Sequence, residues 1–145
     1  MTEPEKKVFP LTFTVTEEID ANDLMNLLVN AFDSGATNYW AGRAEVVLPD
    51  DFDVHKIPWL KNPGEWATVQ KTYIAPFVEG GKVILFDNEE EGTEYILDLK
   101  AIARGVEVMS TKYKRHWHDF RNENDDAETA DVFVQCCVLG DIVFG

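Results

Sequence analysis

Between residues 20 and 35 apolar side chains recur at helical spacing. Ala21, Leu24, Met25, Leu28, Ala31 and Phe32 fall at i, i+3, i+4, i+7, i+10 and i+11, so all six share one face that has to be buried. Asp20 is placed to cap the first turn, and Asp23 puts negative charge near the positive end of the helix dipole. Gly35 can take the left-handed conformation that ends the helix. The chain then enters Asn38-Tyr39-Trp40. Two adjacent aromatics leaving a helix for a strand cannot point the same way, so one is expected in the core and the other faces solvent, a neighbouring loop or a ligand.

On either side of this helix the period changes to two. Leu11, Phe13 and Val15 alternate with Thr12, Thr14 and Thr16, which predicts a half-buried strand over 11–19, preceded by a loose polar arm over 1–10. Arg43 to Leu48 reads as a second strand with Ala44, Val46 and Leu48 on one side, closed by Pro49. From Asp50 to Gly81 prolines interrupt any long element, yet Phe52, Trp59, Trp66, Tyr73 and Phe77 imply a segment folded over the core as a wall or lid. Lys82–Asp87 and Thr93–Asp98, joined by Asn88-Glu89-Glu90-Glu91-Gly92, form a hairpin. Asp98 then caps a second helix with Leu99, Ile102, Val106, Met109, Tyr113 and Trp117 on its apolar stripe, weakened in the middle by Gly105. A third helix starts near Asp126, buries Ala127, Ala130, Phe133, Val134, Cys137 and Val138, and ends at Gly140 before an apolar tail. This order suits an α+β fold: a single domain over 1–145, built as a small, mainly antiparallel sheet with about three helices packed on one face.

Charge narrows the function. The 145 residues include 13 basic and 27 acidic side chains, a net charge of −14. That balance argues against coating nucleic acid or docking on an anionic membrane, since both would repel the chain. No apolar run approaches spanning length and the first ten residues lack an apolar signal region, so a cytoplasmic protein is expected. Cys136 and Cys137 are neighbours in an apolar helix, where a thiol is inert and no structural bridge forms.

Residues 100–121 break the acidic trend with six basic and two acidic side chains. Here Lys112, Lys114, Arg115 and Arg121 interleave with Tyr113, His116, Trp117 and His118, a mixture able to pair with phosphate or carboxylate and to stack on a planar ring. The plainer reading is that the strip neutralises the acidic segment Glu123, Asp125, Asp126, Glu128 and Asp131 that follows it. A metal reading of His116-Trp117-His118-Asp119 fails on geometry, because helical residues two apart diverge. His55 has no identifiable partner. Asp50, Asp51 and Asp53, or Glu89, Glu90 and Glu91, lack the spacing of a calcium loop. No nucleophile stands beside a base and no phosphate-cradling loop precedes a helix, so neither catalysis nor a cofactor is expected.

The segments LTFTVT, AFDSG, NYWAGRAEVV, GGKVILFD with EYILDL, and DAETADVFVQCCVLGDIVFG together resemble a family of small acidic proteins carried by bacteriophages and prophages. In that family a Tyr-Trp pair follows the first helix, and the C-terminal helix reads Asp-Ala-x-x-Ala-Asp, then a glutamine, a glycine and a closing glycine. Asp126, Ala127, Ala130, Asp131, Gln135, Gly140 and Gly145 match. The resemblance implies a phage origin and a bacterial host cytoplasm, and no activity. Three functions are compatible with it, of which the first is preferred because a clustered basic-aromatic strip in a chain of net charge −14 suits a small-anion site better than a uniform decoy. The chain could sequester a small nucleotide signal of host immunity, with Tyr39 or Trp40 stacking on a base and Arg43, Lys112, Tyr113 and Arg115 holding the anion. It could instead be an acidic, DNA-mimic-like inhibitor of a host nucleic-acid-binding defence enzyme, acting through Asp50, Asp51, Asp53, Glu89, Glu90, Glu91 and Glu123 to Asp131. A replication or assembly accessory factor is the third. The tail Ile142, Val143 and Phe144 or the aromatic segment could supply a subunit interface, and the tail could equally pack on the chain's own core.

Overall fold

The computed structural model describes residues 7, 8, 10–12, 14, 16–67 and 71–145. Helix α1 spans Ala21–Asp33 and starts as its capping residue dictates, with Asp20 Oδ1 accepting from the Asn22 N–H at 2.8 Å. Gly35 takes φ 75° just past its end. Leu24, Met25, Leu27, Leu28 and Ala31 are buried. No strand occurs over the described part of 11–19, where Leu11 stands exposed, and Phe13 and Val15 lie outside the described residues, as do residues 1–6 and 9 of the expected arm. An alternating sequence becomes a strand only where a ladder partner exists.

The sheet is antiparallel with order β1-β2-β3, formed by Arg43–Val47, Lys82–Phe86 and Glu94–Leu97. The register Ala44↔Leu85 and Leu85↔Tyr95 puts Ala44, Val46, Val83, Leu85, Tyr95 and Leu97 on the inner face. Val83, Leu85 and Leu97 are fully buried there, but all five residues of β1 are exposed. The expected second strand is therefore present but exposed along its whole length.

Between β1 and β2 the described residues make three 3-10 turns, Val54–Lys56, Lys71–Tyr73 and Ala75–Phe77, and the single-turn helix α2, Pro63–Trp66. They bury Val54, Leu60, Tyr73, Ile74, Ala75 and Phe77, and the rings meet in edge contacts, Trp59 with Phe77 and Trp66 with Tyr73. This is a wall against α1 and the sheet.

The expected second helix is two: α3, Leu99–Lys112, and α4, Lys114–Arg121. Tyr113, with φ −121° and ψ 60°, breaks the helix where the apolar stripe alone ran on. Leu99, expected on the buried stripe, is 60% exposed because the first turn projects past the core. Gly105 weakens nothing; a Cβ there would stand 2.2 Å from Cys137 Sγ, so its missing side chain is what lets α3 pack on α5, Ala127–Leu139. Gly140 ends α5 at φ 75° as its position implied, whereas Ala127 is exposed. No helix among the described residues is long and apolar enough to cross a membrane.

Candidate functional site: a groove over a buried carboxylate

Every residue of α5 from Thr129 to Cys137 is buried, including the polar pair Asp131 and Gln135. At i and i+4 the two meet on one face, and Gln135 Nε2 donates to Asp131 Oδ2 at 3.0 Å. A buried carboxylate needs further donors, which come from far away in sequence. Tyr39 and Trp40, in the turn after α1, both reach Asp131 but differ in burial. The Trp40 ring is 2% exposed, stacks on Phe144 at 5.3 Å, and donates Nε1–H to Asp131 Oδ1 at 2.8 Å. Tyr39 keeps its ring 54% exposed but turns its hydroxyl inward, donating to Asp131 Oδ2 at 2.7 Å. Burial of that hydroxyl end, followed by the bond to Asp131, pushes the phenol pKa up to about 12. Gln135 Oε1 in turn accepts the Val143 and Phe144 N–H groups at 2.9 Å, while its Nε2 reaches Phe144 O at 3.1 Å. One carboxylate and one amide thus fasten the α1–β1 turn and the C-terminal tail to α5.

Over this cluster lies a groove of about 630 Å³ between Tyr39, α5 and the tail, within the range of roughly 300–1,000 Å³ usual for small-ligand sites. Its apolar walls are Ala36, Val132, Ile142 and Val143, and Glu128 is at the rim. His116 reaches it from α4. Its Nδ1 lies 2.8 Å from Thr129 Oγ1, which leaves Nε2 for the groove. The floor donors are spent internally: the Tyr39 hydroxyl on Asp131, and Gln135 Nε2 on three acceptors. Among the residues that line the groove, His116 is the one basic side chain, beside Glu128 and Asp131.

Of the six residues expected to hold an anionic ligand, Tyr39 alone lines this groove. Trp40 belongs to the core. Arg43 is on the outer sheet face with its guanidinium 3.9 Å above the Phe86 ring. Lys112 Nζ pairs with Asp141 Oδ2 at 2.6 Å and the Tyr113 hydroxyl donates to Oδ1 of the same carboxylate. Arg115 is exposed on α4. The tail that carries Asp141 and Phe144 connects the two groups without making one cavity of them.

No close ion pair among the described residues joins the basic strip to the acidic segment after it, although Arg121 lies beside Glu123 and Asp125 and His116 interacts with Asp126. The ion pairs among the described residues are Lys61–Asp20 and Lys112–Asp141; Asp126 instead caps α5, Asp125 accepts from Asn30, and Asp131 is interior. The remaining acidic groups frame the sheet. Glu89, Glu90 and Glu91 stand exposed at the hairpin tip, where Asp87 Oδ1 accepts the N–H groups of Glu89 and Glu90 at 2.9 and 2.8 Å. Asp50, Asp51 and Asp53 are exposed beyond the other end of β1, and Asp53 caps the turn at His55. No three His, Cys, Asp or Glu side chains among the described residues converge as metal ligands. Burial pushes the Cys136 thiol up to about 12 and Cys137 well above its usual range.

Asp131 and Gln135 were readable in part: two polar residues four apart inside an apolar helix imply an interior network. Their partners, more than 90 positions away, carry no local signal. No family profile, curated protein or solved structure matches the chain.

Proposed function

We propose that this is a non-enzymatic binding protein that occupies a basic, nucleic-acid-binding surface of a host protein, in the manner of an acidic DNA mimic. The observation that carries the reading is the uncompensated charge at both ends of the sheet: Asp50, Asp51, Glu89, Glu90 and Glu91 are exposed and enter neither ion pair among the described residues. At the hairpin tip the main chain under these carboxylates is held by Asp87, so a cationic partner meets them without first ordering the backbone. The resemblance to phage proteins would make that partner a bacterial defence enzyme, met in the host cytoplasm. Immobilised protein should retain such a partner from host lysate at low ionic strength and release it as salt approaches roughly 0.5 M, where screening shortens to a few ångströms. Retention unaffected by salt would count against the reading.

A second reading, sequestration of a small nucleotide, keeps one supporting observation. The half-exposed Tyr39 ring, fixed by Asp131 and Gln135, is a ready plate for a base beside His116. Against it, the groove offers phosphates no arginine or lysine. Calorimetric titration with cyclic and ADP-ribose-type nucleotides separates the two: binding at about micromolar Kd or tighter that is lost in Tyr39→Ala would favour sequestration.

A further inference from the structure

Among the described residues no strand pairs with the outer edge of β1, and all five of its residues are exposed. Asp87 donates its N–H to Thr93 O at 3.1 Å, in register with the β2–β3 ladder. Strand alternation therefore turns the main chains of Val83 and Leu85 toward β3 and those of Ile84 and Phe86 toward β1. Their partners Glu45 and Arg43 face inward in the same way, so the N–H and C=O groups of Ala44 and Val46 point out of the sheet. Edge strands of this kind are normally shielded by a bulge, a proline or a covering loop. Here Ala44 is exposed and Val46 is 39% exposed, on the face where helices cover β2 and β3.

We propose that the occupant of this edge is a second copy of the chain, joined β1 to β1 across a two-fold axis at Ala44 to give one six-stranded antiparallel sheet. The charges select the partner and the register. With Ala44 opposite Ala44 of the partner copy, each Arg43 faces the other copy's Glu45. Both lie on the outer face at non-hydrogen-bonded positions, where side chains approach most closely. A shift of one pair in either direction sets Glu45 against Glu45 or Arg43 against Arg43. The Ala44 pair then exchanges two main-chain hydrogen bonds. The outer face continues the join with Val47, Ile84, Phe86 and Ile96, of which Val47 and Ile96 are exposed in the single chain.

Charge reversal tests this directly by sedimentation or light scattering at roughly 50 μM chain, where a micromolar dimer is almost fully associated. The wild-type chain should sediment at twice its 16.5 kDa. Glu45→Arg and Arg43→Glu should each sediment as monomers, because each sets two like-charged pairs across the axis. Mixing the two variants should restore a dimer containing one of each, which also shows that both are folded. A monomeric wild-type chain would overturn the proposal, as when the chain's own N-terminal segment covers the edge. Dimers that survive both reversals would overturn it as well and move the interface to another surface, such as the tail.

Discussion

Asp131 receives three donors in the interior, from Trp40, Tyr39 and Gln135. Asp131→Asn would replace one acceptor oxygen by an N–H2 group facing donors, so the variant should lose about 2–3 kcal/mol of stability, read from the denaturation midpoint. Trp40→Phe keeps the stacked ring and loses one bond, a cost of about 1 kcal/mol. The tyrosines report the same packing through their pKa values. Tyr39 and Tyr73 are pushed up to about 12, first by burial and then by Asp131 and Asp33; Tyr95 reaches about 12, first through its bond to Asp87, and Tyr113 is raised by Asp141. A phenol whose folded pKa exceeds its unfolded value of about 10 stabilises the fold fully below pH 10, and that contribution is lost as pH rises through about 12. Native protein at pH of about 10.5 should show little phenolate absorbance where the urea-unfolded chain shows more than half. At the acid end, Asp20 is lowered to about 2 chiefly by the Asn22 side chain, and Asp141 to about 2 chiefly by Lys112. Their contributions are present above pH of about 4 and disappear as pH falls toward 2.

At the level of elements, α1, α5 and the β2–β3 hairpin were legible because a cap, a period and a glycine stop agree locally. The break at Tyr113 was not, since Ile102, Met109 and Trp117 continue the stripe straight across it. Nor was the exposure of β1, whose alternation is that of a covered strand while coverage depends on where distant helices end. The wall between β1 and β2 could be expected from its aromatics, although its 3-10 turns follow no period. Gly105 reverses its apparent meaning: a weak point by propensity, it is the closest approach of α3 to α5. Gly105→Ala should therefore destabilise by about 2–3 kcal/mol despite the better helix former, because its Cβ meets both Cys137 Sγ and the Cys137 backbone. A neutral or stabilising result in thermal denaturation would contradict that packing.

For the whole molecule, the net charge of −14 is distributed so that part of it builds structure and part is left free. Asp20, Asp98 and Asp126 cap helices and Asp131 ties the core, whereas Glu89, Glu90 and Glu91 at the hairpin tip and Asp50 and Asp51 after β1 enter no ion pair among the described residues. Sequence alone identified Asp20 and Asp98 as caps but left Asp126 and Asp131 among the candidates for a partner surface, since there a structural carboxylate and a free one look alike until the fold assigns their partners. The free groups are those a cationic surface would meet, and a β1-joined pair would present each set twice. The measurement that tests this most directly is capture from host lysate with wild-type protein beside two variants, Glu89→Gln/Glu90→Gln/Glu91→Gln and Asp50→Asn/Asp51→Asn. The account predicts a partner held by the wild-type chain and released at least tenfold more readily, about 1.4 kcal/mol, when either set is neutralised. The same partner retained equally by all three proteins would contradict it.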